Sequence, residues 1–190
     1  MTKTEMRRYY LALRKSRPQE LLRSASDAIC TRVLSLPQLA DCKTVMLYIS
    51  FGAEADTHVL AEKLIAQGKT VCAPRCDARS LSMTPYCFDG ISSLREGAYG
   101  ILEPEPTKPA ELCEIDCVLV PGCVFGRNFH RIGYGKGYYD RFLRTVPHSL
   151  KIGLCYDFCL TEQVAAEPLD MPMDMIVTEN EVLRNEHSVF

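Results

Sequence analysis

The chain has 190 residues, a formal net charge of −2 and 47% hydrophobic residues. This is the composition of an ordinary globular protein, and it excludes a disordered, collagen-like or coiled-coil chain. Because about 150 residues is typical of one domain, we expect a single domain over residues 1–190. The near-neutral charge argues against bulk electrostatic binding to nucleic acid or to a membrane surface.

The first predicted elements are two helices. Residues 2–15 form a basic, amphipathic segment, and Ser16 with Gln19 resembles a capping box that would start a second helix. That second helix has apolar residues on one face and is predicted to run to about Leu36, where Pro37 ends it. The sequence therefore predicts a helical N-terminal extension before the first strand.

A strand–helix–strand unit follows. Residues 45–49 are a short apolar run, which is typical of a strand buried on both faces. Residues 56–57 can cap a helix that Gly68 ends, and residues 70–73 are predicted to be the next strand, closed by Pro74. The short links between these elements favour a parallel sheet.

The rest of the pattern completes an α/β sheet. Residues 81–88 are predicted to be an edge strand, because a proline such as Pro85 is tolerated there but not in a central strand. Three apolar runs are predicted to be further buried strands, at residues 117–120, 151–155 and 175–177. We therefore expect an open, mostly parallel sheet with helices on both faces, a three-layer Rossmann-like arrangement.

The ten cysteines are spaced widely or as C-x-x-x-C, and none forms the C-x-x-C pair of a zinc ribbon. No signal-peptide pattern follows Met1, and no apolar run reaches the roughly 18 residues of a membrane span. We therefore expect a cytoplasmic protein whose thiols are mostly small buried hydrophobes rather than a disulfide framework.

The most informative segment is R-I-G-Y-G-K-G-Y-Y-D-R, residues 131–141. Its alternating glycines follow a strand and precede a helix predicted over residues 138–146, which is where α/β folds bind phosphates. Arg131 and Lys136 add charge that can neutralise a nucleotide's phosphates. Asp140 stands at the helix start, where it can hold Mg²⁺, an ion that takes a few carboxylates together with phosphate oxygens.

The local pattern alone leaves other interpretations open. The segment is neither G-x-x-x-x-G-K-[ST] nor G-x-G-x-x-G, so neither a Walker A loop nor a dinucleotide-binding fold is indicated. A tight surface turn is one alternative. A nucleic-acid patch is another, because five basic residues cluster between Arg127 and Arg144, although the net charge speaks against it.

Several segments together resemble the 5-formyltetrahydrofolate cyclo-ligase family, also called methenyltetrahydrofolate synthetases, over nearly the whole chain. The match of residues 131–141 is the most specific. The other matching segments are K-x-x-x-R at Lys3–Arg7, Y-x-S-x-x-x-E-x-x-T at Tyr48–Thr57, Pro74-Arg75, G-x-x-G-I-x-E-P at Gly97–Pro104, P-G-x-x-F at Pro121–Phe125, and Asp174.

The resemblance implies an activity. Members of this family use ATP and Mg²⁺ to convert 5-formyltetrahydrofolate into 5,10-methenyltetrahydrofolate, releasing ADP and phosphate after the formyl oxygen is phosphorylated and the ring closes. It implies a folate substrate with or without a polyglutamate tail, and no nucleic-acid or membrane partner. We expect a monomer or a weak dimer.

The resemblance also implies residue roles. Lys136, Arg131 and Tyr138 are the implied catalytic residues, and Asp140 and Asp174 are the implied Mg²⁺ ligands. The implied ATP-binding residues are Lys3, Arg7, Arg131, Ile132, Gly133, Tyr134, Gly135, Lys136, Gly137, Tyr138 and Tyr139. The implied folate-contacting residues are Ile49, Glu54, Tyr134, Gly135, Lys136, Gly137 and Tyr138. Glu54 also lies just past a strand end, where open α/β sheets place ligands.

Three positions depart from the family's pattern, which usually reads F-D-x-x-G-x-R before the glycines. Gly126 stands at the aspartate, Phe129 stands at the glycine, and Met173 replaces a histidine before Asp174. A phenylalanine at position 129 would be strained if that position takes a positive φ, and Gly126 would then recover some freedom.

The departures keep a second hypothesis open, a non-catalytic relative that binds a nucleotide or folate. A sugar-phosphate isomerase or an acyl-CoA transferase with a similar sheet is an alternative at the level of fold only. The R-x-G-x-G-x-G-Y-Y-D run, residues 131–140, discriminates against that alternative.

Overall fold

The structure is a computed structural model and describes residues 1–97 and 100–188. The α-helices in these ranges are α1 (Lys3–Lys15), α2 (Gln19–Leu34), α3 (Pro37–Ala40), α4 (His58–Ala66) and α5 (Tyr138–Leu143). The strands are β1 (Thr44–Met46), β2 (Thr70–Asp77), β3 (Ser82–Cys87), β4 (Arg95–Glu96), β5 (Leu102–Glu103), β6 (Cys117–Val120), β7 (Val124–Gly126), β8 (Arg131–Ile132), β9 (Leu150–Leu154), β10 (Leu160–Thr161), β11 (Met175–Val177) and β12 (Val182–Arg184). None of the helices described in these ranges has the length and apolar character needed to cross a membrane.

Seven strands form the central sheet in the order β12-β11-β9-β6-β1-β2-β3. The strands from β11 to β2 run parallel, and the edge strands β12 and β3 pair antiparallel. The connections β1–α4–β2 and β6–α5–β9 move in opposite directions along the sheet. Because such crossovers are right-handed, α4 and α5 lie on opposite faces. The predicted α/β sheet is confirmed, with β3 as the predicted edge strand.

The core lies in the middle of this sheet. Every residue of β1, β6, β9 and β11 is buried, as expected for parallel strands covered on both faces. All ten cysteines are free thiols, and seven of them are buried. The apolar runs thus predicted the core strands correctly, and the cysteines act as small apolar residues within and around them.

The predicted capping box at Ser16 is wrong. The capping box stands at the start of α1, where the Thr2 hydroxyl accepts from the Glu5 N–H at 3.2 Å and the Glu5 carboxylate accepts from the Thr2 N–H at 2.8 Å. Ser16 instead ends α1, and α2 begins after Pro18 without a side-chain cap. The T-x-x-E spacing at residues 2–5 satisfies the same motif.

Two prolines behave differently from the prediction. The second helix ends at Leu34, and Pro37 begins α3, where its fixed φ suits a first helical position. Strand β2 continues through Pro74, which stands opposite Pro85 of β3. Pairing with β1 has already ended at Cys72, so this part of β2 tolerates proline as an edge strand does.

A small sheet of order β10-β7-β8 lies beside the central sheet. Its buried residues Val124 and Ile132 cluster with Val164, and Met6 and Tyr10 of α1 pack against that cluster. This contact holds α1 against β8, the strand that leads directly into the glycine-rich segment.

Two of the three family departures, Gly126 and Phe129, lie at the end of β7 and in its connection to β8. Phe129 has φ +62°, so the predicted backbone strain is present. Gly126 does not take a positive φ, and the predicted recovery of freedom there is wrong. A Cβ on Gly126 would instead overlap the Asn128 side chain and lie 2.8 Å from the Val164 nitrogen. Glycine is needed at this position because other groups approach it closely.

A substitution at Gly153 of β9 would test how tightly the core is packed around the Phe125 ring. A Cβ there would collide with the buried ring of Phe125. We expect Gly153→Ala to lower the free energy of unfolding by about 1–3 kcal/mol, because the ring has to move to relieve the overpacking. Urea unfolding measures the change. In a Phe125→Leu background the alanine should cost less, and an equal cost in both backgrounds would contradict the ring contact.

Candidate active site

An open cavity of about 650 Å³ lies at the carboxyl ends of the central strands. Tyr48 and Ile49 enter it just after β1, Pro121 just after β6, and Pro74 from the part of β2 beyond β1. Open parallel sheets bind their ligands at this edge, and the volume is that of a small-molecule site.

Every predicted site residue except Asp174 lines this cavity. The lining residues among them are Lys3, Arg7, Ile49, Glu54, Arg131, Ile132, Gly133, Tyr134, Gly135, Lys136, Gly137, Tyr138, Tyr139 and Asp140. The fold thus brings together the first helix, the loop after β1 and the glycine-rich segment, which are far apart in the chain.

Helix α1 is held over the strand ends by Arg14 in its last turn, which is only 3% exposed. Its Nη2 donates to the carbonyl oxygens of Gly122 and Cys123, the latter at 2.9 Å, and its Nε donates to Sγ of Cys159 at 3.4 Å. A buried guanidinium without acceptors would be strongly destabilising. These acceptors therefore fix where α1 lies, with its first two turns at the cavity.

Arg7 ties α1 to the glycine-rich segment. Its Nε donates to the Gly133 carbonyl oxygen at 2.7 Å. Gly135 has φ +99°, and a Cβ there would lie 3.3 Å from Arg7 Cζ. Gly137 has φ +66° and stands at the start of α5. The backbone conformation therefore requires glycine at positions 135 and 137.

Lys3 lies between two carboxylates that sequence analysis missed. Its Nζ is 2.5 Å from Asp170 Oδ2 and 3.1 Å from Glu167 Oε1. Burial lowers the pKa of Lys3, but hydrogen bonds to Asp170 and Glu167 outweigh this, and the pKa is raised. Both acids lie in an irregular segment far from Lys3 in the chain, and no motif or periodicity marks them.

Arg131 and Tyr139 are cavity residues that carry buried polar atoms without a partner among the described residues. Nη1 of Arg131 donates to Asp140 Oδ1 at 3.1 Å and to the Met171 carbonyl oxygen at 3.4 Å. Within the described part of the chain, Arg131 Nε and the Tyr139 hydroxyl find no hydrogen-bond partner. A buried unsatisfied group of this kind costs about 1–3 kcal/mol.

Glu54 is buried beside the glycine-rich segment. Its Oε1 accepts from the Tyr134 hydroxyl at 2.6 Å, and its Oε2 accepts from the Phe51 N–H at 3.2 Å. Burial raises the pKa of Glu54, and the hydrogen bond from Tyr134 opposes this only in part. The rings of Phe51 and Tyr134 pair at 6.0 Å and are partly exposed at the cavity. Phe51 is a cavity residue that the motifs did not single out.

Asp174 does not join Asp140, so the predicted pair of Mg²⁺ ligands is not assembled. Asp174 precedes β11, at the amino ends of the parallel strands and away from the cavity. Its Oδ2 accepts from the Lys151 N–H at 2.7 Å, and its Oδ1 accepts from the Ser188 hydroxyl at 2.6 Å. These bonds give Asp174 a structural position between β9 and the chain after β12.

Of the two predicted Mg²⁺ ligands, only Asp140 lines the cavity. Across residues 1–97 and 100–188, no group of three or more His, Cys, Asp or Glu side chains is arranged to hold a metal ion. Mg²⁺ commonly takes one or two carboxylates and completes its shell with phosphate oxygens and water. The Arg131 Nη1 and the Met171 N–H both donate to Oδ1 of Asp140, each at 3.1 Å. This donor set fits Mg²⁺ that arrives with phosphates, not a site made by protein alone.

The raised pKa of Glu54 predicts how the free energy of unfolding changes with pH. Folding favours its neutral form, so the stability it contributes is present below the usual pKa of 4.5 and is lost as the pH rises through the raised pKa of the folded state. We expect Glu54→Gln to be more stable than the parent protein at pH 7, with the two free energies of unfolding converging towards pH 4. Urea unfolding across this range measures the difference, and Glu111→Gln, at an exposed position, is the control. A difference that does not change with pH would contradict the assignment.

Known proteins resemble this chain over most of its length. The model of the 5-formyltetrahydrofolate cyclo-ligase family matches residues 1–179. A probable 5-formyltetrahydrofolate cyclo-ligase of Schizosaccharomyces pombe is 29% identical over 181 residues, which cover 87% of this chain and 89% of that protein. The 5-formyltetrahydrofolate cyclo-ligase of Saccharomyces cerevisiae is 32% identical over 200 residues, which cover 93% and 94%.

A solved structure extends the match to the fold. The NMR structure of 5,10-methenyltetrahydrofolate synthetase from Aquifex aeolicus is 31% identical and has a TM-score of 0.87, covering 100% of this chain and 97% of that chain. The resemblance carried by the motifs is confirmed over nearly the full length. The chain belongs to the 5-formyltetrahydrofolate cyclo-ligase family.

Proposed function

We propose that this protein converts 5-formyltetrahydrofolate into 5,10-methenyltetrahydrofolate in the cavity at the strand ends, using ATP and Mg²⁺ and releasing ADP and phosphate. One observation carries the proposal. Three segments that match the family's pattern line one cavity, namely α1, the loop after β1 and residues 131–140.

The cavity gathers cations that suit a polyphosphate. Lys3, Arg7, Arg131 and Lys136 all line it, although the whole chain has a net charge of −2. Charge-assisted hydrogen bonds from such groups are the strong ones that bind phosphate. Lys3 is already held at the cavity by Asp170 and Glu167, and a phosphate would compete with these carboxylates for its ammonium group.

The proposed reaction has two steps. The formyl oxygen attacks the γ-phosphorus of ATP, the bond from that phosphorus to the bridging oxygen breaks, and ADP leaves. The amine at N10 then attacks the formyl carbon and loses its proton, and the carbon–oxygen bond breaks to release phosphate. The protein's task is to align the two substrates and to stabilise the transferring charge.

The residues divide this task between them. We assign Arg131 and Lys136 to the transferring phosphoryl group, because both are cationic members of the cavity wall. Glu54 holds the Tyr134 hydroxyl and so fixes that ring beside the folate, while Tyr138 borders both substrates. Asp140 would hold Mg²⁺, which neutralises phosphate charge when it is bound with ATP.

The observations do not favour the alternative of a non-catalytic relative. That hypothesis depends on Gly126 and Phe129, and neither lines the cavity. A nucleic-acid interface is also disfavoured, because members of the basic cluster are engaged within the protein. Arg127 pairs with Glu181 at 2.5 Å, and Arg141 donates to the Leu81 carbonyl oxygen at 2.7 Å. The cytoplasmic location and the monomeric or weakly dimeric state stay predictions.

The proposal is tested by turnover. Purified protein mixed with 5-formyltetrahydrofolate and Mg-ATP should raise the absorbance of the methenyl product. We expect Lys136→Ala to lower kcat/KM for ATP roughly 10- to 100-fold, the effect of removing a charged hydrogen bond, with a smaller change in KM for the folate. Lys108→Ala, beside a separate small cavity, is the matched control. A folded protein that binds ATP but forms no product would refute the proposal.

The two aspartates separate a role in Mg²⁺ binding from a role in stability. We expect Asp140→Asn to raise the Mg²⁺ concentration needed for half-maximal rate about tenfold, a typical effect of losing a metal-site carboxylate or its support. We expect Asp174→Asn to leave that concentration unchanged and to lower the free energy of unfolding by about 1 kcal/mol, because it weakens part-buried hydrogen bonds. Metal titration of the rate and urea unfolding measure these effects. The reverse pattern would restore Asp174 as a metal ligand.

A further inference from the structure

Glu103 is a buried carboxylate in the cavity wall with no role in the steps above. It ends β5, is 5% exposed and lines the cavity. The lining residues nearest to it in the fold are apolar or weakly polar, among them Pro74, Cys76 and Leu102. This part of the wall therefore differs from the cationic part formed by α1 and the glycine-rich segment.

The hydrogen bonds described for Glu103 are weak for a buried carboxylate. Its Oε1 accepts from the Cys76 N–H at 3.3 Å. Its Oε2 lies 3.6 Å from Arg75 Nη2, and the guanidinium donates instead to the Pro104 carbonyl oxygen at 2.7 Å. An ionised carboxylate offers about four acceptor sites, and burying it without good donors is unfavourable. Glu103 thus has unused capacity to accept hydrogen bonds.

The chain is shaped to admit this side chain. A Cβ on Gly97 would overlap Glu103 Oε2 and its carboxyl carbon. The Gly97 N–H donates to the Ile101 carbonyl oxygen at 2.8 Å, just before β5. Glycine at position 97 therefore leaves room for the carboxylate in the position that it takes.

The other carboxylates of the cavity are better satisfied. Both oxygens of Glu54 accept hydrogen bonds, from the Tyr134 hydroxyl and from the Phe51 N–H. Asp170 and Glu167 pair with Lys3. Among these four acids, Glu103 is the one with the weakest partners, and it lies on an apolar part of the wall where a flat ring can pack.

We propose that Glu103 binds the pterin ring of the folate by accepting hydrogen bonds from its N3–H and its 2-amino group. Two adjacent N–H donors match the two oxygens of a carboxylate, as the guanidinium fork does. Adenine fits less well, because its amino group stands next to ring nitrogens that are acceptors and would face the anion. The inference rests on the proposed function, since it takes a folate as the substrate.

The test compares Glu103→Gln with Glu105→Gln. Glutamine has nearly the same shape as glutamate. Its carbonyl oxygen is still an acceptor, but its NH2 group is a donor and would face the N–H donors of the pterin edge. We expect Glu103→Gln to raise KM for 5-formyltetrahydrofolate about 10- to 100-fold and to leave KM for ATP within about twofold. Glu105 is exposed, pairs with Arg95 at 3.5 Å and does not line the active-site cavity, so Glu105→Gln should leave both constants unchanged.

Calorimetry without ATP provides a second readout. Binding of 5-formyltetrahydrofolate should weaken in Glu103→Gln by the same factor as KM. Binding of p-aminobenzoylglutamate, which lacks the pterin, should be the same in both proteins. If Glu103→Gln does not fold, Glu103→Asp keeps the charge on a shorter stem and should show a smaller loss for the folate alone.

The outcomes distinguish this inference from the function on which it rests. A parent protein that neither binds nor turns over 5-formyltetrahydrofolate refutes the proposed function. An active parent with an unchanged folate KM in Glu103→Gln overturns the role of Glu103. A rise in KM for ATP alone would place adenine, not the pterin, against this carboxylate and would also overturn it.

Discussion

The active cavity depends on the burial of one guanidinium, that of Arg14. Its carbonyl acceptors, Gly122 and Cys123, follow β6 at the carboxyl edge of the sheet. A buried arginine side chain is stable only where fixed acceptors satisfy its N–H groups. The position of these acceptors therefore determines where α1 lies. Lys3 and Arg7 reach the cavity because they lie about three and two turns, respectively, before this anchor on the same helix. The helix that extends the fold is therefore also one wall of the site.

The charges of the cavity are arranged before any ligand arrives. Lys3 is held by Asp170 and Glu167, and Arg131 is held by Asp140. Such pairs keep flexible cationic side chains in place, which lowers the entropic cost of binding a phosphate later. The same carboxylates weaken phosphate binding, since they compete for the cations.

The sequence predicted the sheet and most of the residues that line the cavity. It did not predict contacts between residues that are far apart in the chain. Apolar runs identified β1, β6, β9 and β11 because strands buried on both faces have a local signal. The glycine-rich segment was visible because its backbone conformation demands glycine. Arg14 has no distinguishing signal within the basic first segment, and no local pattern reveals that its acceptors follow β6. The pairing of Asp170 was not predicted for the same reason, since its partner is Lys3 at the other end of the chain. Asp174 was assigned from the resemblance alone, and the register of β11 places it at the wrong end of the strands.

The family departures at Gly126 and Phe129 form one structural unit. The Asn128 side chain donates to the Val164 carbonyl oxygen at 3.0 Å and accepts from the Val164 N–H at 3.2 Å. Gly126 leaves the space that Asn128 occupies, and Phe129 takes the left-handed conformation that closes the turn, at a cost of roughly 1–2 kcal/mol. Burial of its ring against the core can offset such a cost. Because Val164 packs with Met6 and Tyr10 of α1, the unit supports the helix from behind the cavity. The departures thus change how α1 is supported, while the residues that line the cavity keep the family's pattern.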